Sequence, residues 1–125
     1  MRVLVVSAVA NLREVLNELL AYLGYEVSSV ASAELALAWL EQHTTNLVLT
    51  DLRMPEGMWG LQFMQRVRVI GHSWPIILMT GSSPTPEYRK VLMDAGANWI
   101  LDKPFEIEEM EEALKRLLTK APSSA

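Results

Sequence analysis

Residues 46–55 read NLVLTDLRMP, an apolar run that drives straight into a carboxylate, Asp51, and then a turn closed by Pro55. A strand covered on both faces reads as a nearly continuous apolar run, and a charge at its end stands where the chain leaves the core. The same shape recurs in RVLVVS (2–7), YEVSSV (25–30), PIILMT (75–80) and NWILD (98–102), which gives five strands. Between them the spacing turns helical: Leu12, Val15, Leu16, Leu19, Leu20 and Leu23 fall at intervals of three and four. Asn11 and Glu14 resemble a capping box and Gly24 a helix stop. Ser32, ahead of Glu34 and Ala36, opens a second helix. Further helices are predicted over roughly 58–71, 84–96 and 105–120. The last carries Glu106, Glu108 and Glu109 early and Lys115, Arg116 and Lys120 late, which complements the helix dipole. Its apolar stripe, Ile107, Met110, Leu114, Leu117 and Leu118, reads as a face docked on a sheet.

Strands alternating with helices predict an α/β, doubly wound fold with a parallel sheet between two helical layers. In such sheets the functional crevice lies beyond the carboxyl ends of the strands. The residues to weigh there are Ser7, Asp51, Thr80 and Lys103.

Composition limits the function classes. The chain of 125 residues, half of them apolar, is read as one domain over residues 1–120, with APSSA (121–125) as a tail or the start of a linker. A net charge of −4 argues against a nucleic-acid surface, which needs a basic face. The absence of Cys leaves no disulfide framework or thiolate metal site. No apolar stretch approaches membrane-spanning length and no signal peptide is evident, so the expectation is a cytoplasmic domain with no membrane contact.

Asp51, Thr80 and Lys103 each close a strand unit, in DLRMP, ILMTG and LDKPF. Each alone reads as well as a simple strand-end cap. Together at one edge they form a coherent set for phosphoryl chemistry: a carboxylate nucleophile, a hydroxyl for arriving oxygens and an ammonium for their charge. These motifs, with DAGANWILDKPF, resemble the receiver domain of bacterial two-component response regulators over nearly the whole chain. The resemblance implies a flavodoxin-like three-layer sandwich with a five-stranded sheet in the order 2-1-3-4-5. It also implies Asp51 as phosphoacceptor, Thr80 as switch hydroxyl, Lys103 as the phosphate-contacting cation, and a cis Lys103–Pro104 bond.

The chain departs from that pattern at the end of the first strand. The family places two adjacent acids there, then a further acid and often a proline, to hold Mg²⁺. Here Ser7, Ala8, Val9 and Ala10 stand in those positions. Mg²⁺ requires hard oxygen ligands in octahedral array, so Asp51 with the Arg53 carbonyl is a poor site, and Glu56 is a weak substitute better read as a solvated loop carboxylate. The expectation is no cofactor, with Mg²⁺ doubtful. The family's switch aromatic is replaced by Ile100, and Trp99 beside it points to the opposite face. Trp59 occupies a loop position where an acid often sits, and Arg53 is expected to be exposed.

The remaining residues have plainer readings. His43 and His72 sit near predicted helix ends without a ligand partner. Met54, Met64, Met79 and Met93 read as core fillers. Trp39 is expected on the sheet; Trp59, Trp74 and Trp99, if two are exposed together, mark a partner surface.

Three functions follow. The first is an atypical receiver in two-component phosphorelay signalling that acts through protein–protein interaction, with weak or no Mg²⁺-dependent phosphorylation. The second is a working phosphoacceptor at Asp51 served by a sensor histidine kinase. The third is a small α/β enzyme, which the residues disfavour. A haloacid-dehalogenase-type phosphatase needs an acid where Arg53 stands, and a flavin site needs a glycine-rich loop after the first strand. The expectation is therefore no enzyme, and partners that are a sensor kinase, a downstream regulator or a second copy of the chain.

Overall fold

The computed structural model describes residues 1–70 and 72–118. Its elements alternate without exception: β1 (Arg2–Val6), α1 (Ala10–Tyr22), β2 (Glu26–Val30), α2 (Ala33–Gln42), β3 (Leu47–Asp51), α3 (Gly60–Val69), β4 (Ile76–Thr80), α4 (Pro86–Asp94), β5 (Trp99–Asp102) and α5 (Ile107–Leu118). The strands form one parallel sheet in the order β2-β1-β3-β4-β5. Parallel strands require a crossover from each to the next in sequence, and α1, α2, α3 and α4 provide one each.

Side chains alternate along the strands and so divide the core in two. Leu4, Val6, Val48, Ile76 and Leu78 face Ala33, Ala36, Phe63, Met64, Val67 and Leu92 on α2, α3 and α4. Val3, Val5, Leu47, Leu49, Ile77, Met79 and Leu101 face Leu16, Leu20, Met110, Ala113 and Leu114 on α1 and α5. Ile100 and Trp99 fall on opposite faces, as the alternation requires.

Several local expectations shift. The capping box of Asn11 and Glu14 does not form, because α1 starts at Ala10 with Val9 as its N-cap and no side-chain cap. The Ser7 hydroxyl accepts from the Val9 N–H at 3.2 Å, a turn that commits the chain to the helix before Asn11 is reached. Ser32 caps α2 as expected, accepting from the Leu35 N–H, and Gly24 follows α1 with a positive φ of 100° that glycine adopts at little cost. Helix α3 begins two residues later than predicted, where the Gln62 side chain accepts from the Trp59 N–H, and Gly71 lies outside the described residues. Helix α4 begins at Pro86 behind Thr85, whose hydroxyl accepts from the Tyr88 N–H. Helix α5 begins at Ile107, and both its predicted end at Lys120 and the 121–125 segment lie outside the described residues.

Three apolar residues assigned to the core are exposed: Val15, Met93 and Ile107. Val15 is one residue, about 100° of helix, away from the buried Leu16. Trp39 stacks on His43 and Trp74 on His72, so both histidines serve packing. Trp59 is the exposed tryptophan; the other three are partly buried against the two cores. No helix is long and apolar enough to cross a membrane, among the described residues.

Candidate functional site

Asp51 ends β3 only 2% exposed, at the carboxyl edge of the sheet. The Ser7 hydroxyl donates to its Oδ2 at 2.6 Å. The Lys103 ammonium lies 2.6 Å from its Oδ1. That second contact is one of charge: Oδ1 is buried and has no hydrogen bond of standard direction. The carboxylate therefore has a neutral donor on one oxygen and a cation on the other. Burying a carboxylate is tolerable only with such compensation.

Register explains why the three meet. β1 and β3 are neighbours with Val6 opposite Thr50, so the next residue, Ser7, comes level with Asp51. Ser7 is fully buried and all its polar groups are engaged. Its N–H donates to the Val30 carbonyl, its carbonyl accepts from Arg13 Nη1 at 2.6 Å, and its hydroxyl takes the Val9 N–H while donating to Asp51. Lys103 directly follows β5, two strands from β3, and reaches Asp51 across the end of β4. Its N–H donates to the Thr80 carbonyl at 2.7 Å, which holds the loop against β4, and the Lys103–Pro104 bond is cis, as the resemblance implied.

Thr80 stands at the same edge but does not touch the carboxylate. Its hydroxyl donates to the Ser82 carbonyl at 2.8 Å and accepts from the Ser82 N–H at 3.3 Å, closing the turn after β4. Ile100 is partly buried against the core under α2, α3 and α4. Ala8, Arg53 and Glu56 are exposed. The Arg53 guanidinium lies 5.4 Å from the centre of the Trp59 ring, a cation–π distance. Glu34 of α2 accepts from the Met58 N–H at 2.8 Å and ties down the loop that carries them. Among the described residues no three His, Cys, Asp or Glu side chains group as a metal-binding set.

The polar partners of Asp51 and the five-stranded order narrow the comparison, and the family model decides it: the response regulator receiver domain matches residues 3–115. This chain belongs to the response regulator receiver family. The receiver is 36% identical over 121 residues to the two-component response regulator PhoP of Pseudomonas aeruginosa, covering 97% of the chain and 53% of that protein. It is 30% identical over 117 residues to sporulation initiation phosphotransferase F of Bacillus subtilis, covering 94% of the chain and 93% of that protein. Among solved structures it resembles the response regulator TrrA of Thermotoga maritima, solved in complex with Mg²⁺ and beryllium fluoride. There the TM-score is 0.83 at 35% identity, over 94% of this chain and 98% of that one. The chemotaxis protein CheY4 of Vibrio cholerae gives a TM-score of 0.86 at 30% identity, over 94% and 98% of the two chains. The receiver spans about half the length, or less, of the first curated relatives it matches.

Sequence reasoning named Asp51, Lys103 and Ser7 but read Ser7 only as standing where the family places a metal-binding acid, with no bond of its own. Its hydrogen bond to Asp51 depends on strand register, which no single strand records. Arg13 was passed over because it sits among helical residues in a stretch read for its apolar face. Its signal is distance along the chain: an arginine in the first turn of a helix can reach back six residues to the carbonyl of Ser7, the residue that follows the strand.

Proposed function

We propose that this receiver is atypical: it signals within a two-component system through protein–protein contacts, with a sensor kinase or a downstream regulator as partner, and its Mg²⁺-dependent phosphorylation is weak or absent. The observation that carries this reading is the state of Asp51, whose two oxygens face the Ser7 hydroxyl and the Lys103 ammonium. One carboxylate already paired with a cation, one hydroxyl and nearby carbonyls are a poor donor set for Mg²⁺, which favours hard anionic oxygens and near-octahedral geometry. Neither exposed Glu56 nor Asp102, whose carboxylate accepts from the Ser83 hydroxyl, supplies the second acid in contact with Asp51. The Lys103–Asp51 pair favours one standing conformation available to a partner without phosphate.

The working-phosphoacceptor reading has its own support, since Asp51 and Lys103 are in direct contact and Thr80 stands at the same edge. Titration with Mg²⁺ followed by tryptophan fluorescence separates the two. Trp59, next to the loop after Asp51, is the reporter. The atypical reading expects no saturable change, and no phosphoryl adduct by intact mass after acetyl phosphate with Mg²⁺. A saturable metal response, or an adduct lost in Asp51→Asn that alters partner binding, sinks it.

A further inference from the structure

A cleft of about 430 Å³ opens between the starts of α3 and α4, lined by Gly57, Trp59, Leu61, Gln62 and Tyr88. Ser7, Asp51, Thr80 and Lys103 do not border it, and no charged side chain lines it. The exposed tryptophan, Trp59, thus shares its surroundings with a tyrosine and not with a second tryptophan. The walls are fixed: Leu61 and Tyr88 are partly buried against the core, and the Arg53 guanidinium lies over the Trp59 ring. The Trp59 and Tyr88 rings do not stack on each other, so the space between them stays open. The polar side chains of the cleft lean one way. Gln62 Oε1 is already engaged by the Trp59 backbone N–H. Among the described residues the Gln62 amide N–H groups, the Trp59 indole N–H and the Tyr88 hydroxyl have no acceptor in the chain.

We propose that this cleft is a docking slot for a proline-rich segment of a partner protein, bound as a polyproline II helix. Such a segment makes no internal hydrogen bonds and leaves its carbonyls unpaired, while proline itself carries no N–H. It needs donors and asks for no acceptors, which is what Trp59, Gln62 and Tyr88 offer. Its rings pack against aromatic side chains, which present a large, rigid contact area with little loss of rotamer freedom. The uncharged lining gives a phosphopeptide no cation to pair with inside the slot. The inference rests on the protein-contact part of the preceding reading and names the chemistry of the partner; it does not depend on the state of Asp51.

The test is an NMR titration of the whole chain with a blocked peptide of about ten prolines, beside a glycine–serine peptide of equal length. Saturable shifts at the Trp59 indole N–H, the Gln62 side-chain amide and Tyr88 are expected with the proline peptide alone. Trp59→Ala should weaken binding about tenfold, and Tyr88→Phe, which keeps the packed ring and removes the donor, about threefold. No saturable shift up to about 5 mM proline peptide, equal binding of the glycine–serine peptide, or unchanged affinity in both variants overturns the proposal. Shifts at the same residues that grow with protein concentration before any peptide is added assign the slot to a second copy, whose Pro84 and Pro86 would fill it, and overturn the proposal as well. Repeating the titration with Mg²⁺ separates the two readings. A saturable metal response with proline binding intact removes the atypical reading of the site and leaves the slot; silent metal with no proline binding removes the slot alone.

Discussion

The two ends of the sheet each organise around a cation, and they use it differently. At the amino ends, Arg68 of α3 donates from Nη1 to the His72 carbonyl at 2.9 Å. Its Nη2 reaches the Gly96 carbonyl at 2.6 Å and Asn98 Oδ1 at 3.1 Å. Asn98 Oδ1 also accepts from the Ile76 N–H at 2.8 Å, so one guanidinium ties α3, β4 and the approach to β5. Burial pulls this guanidinium below its usual value. At the carboxyl ends, Lys103 holds a carboxylate that ends β3. Carbonyl oxygens of the main chain cannot leave without unfolding a turn, whereas a carboxylate can exchange its partner. The first cluster is a staple and the second is a contact that a ligand or a partner can displace.

The largest way to break this contrast is Arg68→Ala. It strands two carbonyls and takes one of its two donors from Asn98 Oδ1, and should cost about 2–3 kcal/mol in urea unfolding with no change in metal response. Next comes Lys103→Ala, which leaves Asp51 buried with only the Ser7 hydroxyl. Because the Lys103 side chain is 31% exposed, water screens part of the interaction, and a loss of about 1–2 kcal/mol is expected. Adding Asp51→Asn should restore most of that loss, since the cost lies in the stranded charge. A double-mutant cycle with near-zero coupling would show that the pair contributes no more than an exposed one. A comparable loss from Lys103→Ala and Arg68→Ala would erase the distinction between staple and exchangeable contact.

The smallest effect is one of pH. Tyr25 precedes β2 at the amino end of the sheet, and its phenol is raised above the usual 10.0, by burial first and by the Glu111 charge second. A raised pKa means the folded chain keeps its proton where the unfolded chain releases it. Stability is therefore constant below the unfolded value and falls as pH rises past 10.0 toward the folded value. Urea melts on the alkaline side should show this decline, and Tyr25→Phe should remove that component. A decline unchanged in Tyr25→Phe would assign it to other groups.

The alternation of strands and helices was legible because burial on both faces writes itself as apolar runs, and NLVLTD and PIILMT are nearly unbroken ones. Strand starts were read one residue early at Tyr25, Asn46, Pro75 and Asn98. At the two asparagines the cause is physical: their side-chain oxygens accept from the Arg2 and Ile76 N–H groups, which places them on the rim of the sheet. Asp51 and Lys103 were legible as strand-end charges. The Ser7 bond, the Arg13 contact and the Arg68 cluster were not, because each joins residues brought together by register or by a crossover. Local rules miscarried where a neighbour outbid them, as when the Ser7 turn started α1 ahead of Asn11.

Gly60 opens α3 with its N–H on the Leu52 carbonyl, and a Cβ at that position would run into the Asp51 carbonyl oxygen. The last peptide of β3 and the first turn of α3 thus share a common wall with no side chain between them. Any side chain at position 60 would therefore press on the peptide that carries Asp51, so Gly60 is a position where a surface helix and the carboxylate's own backbone are set against each other.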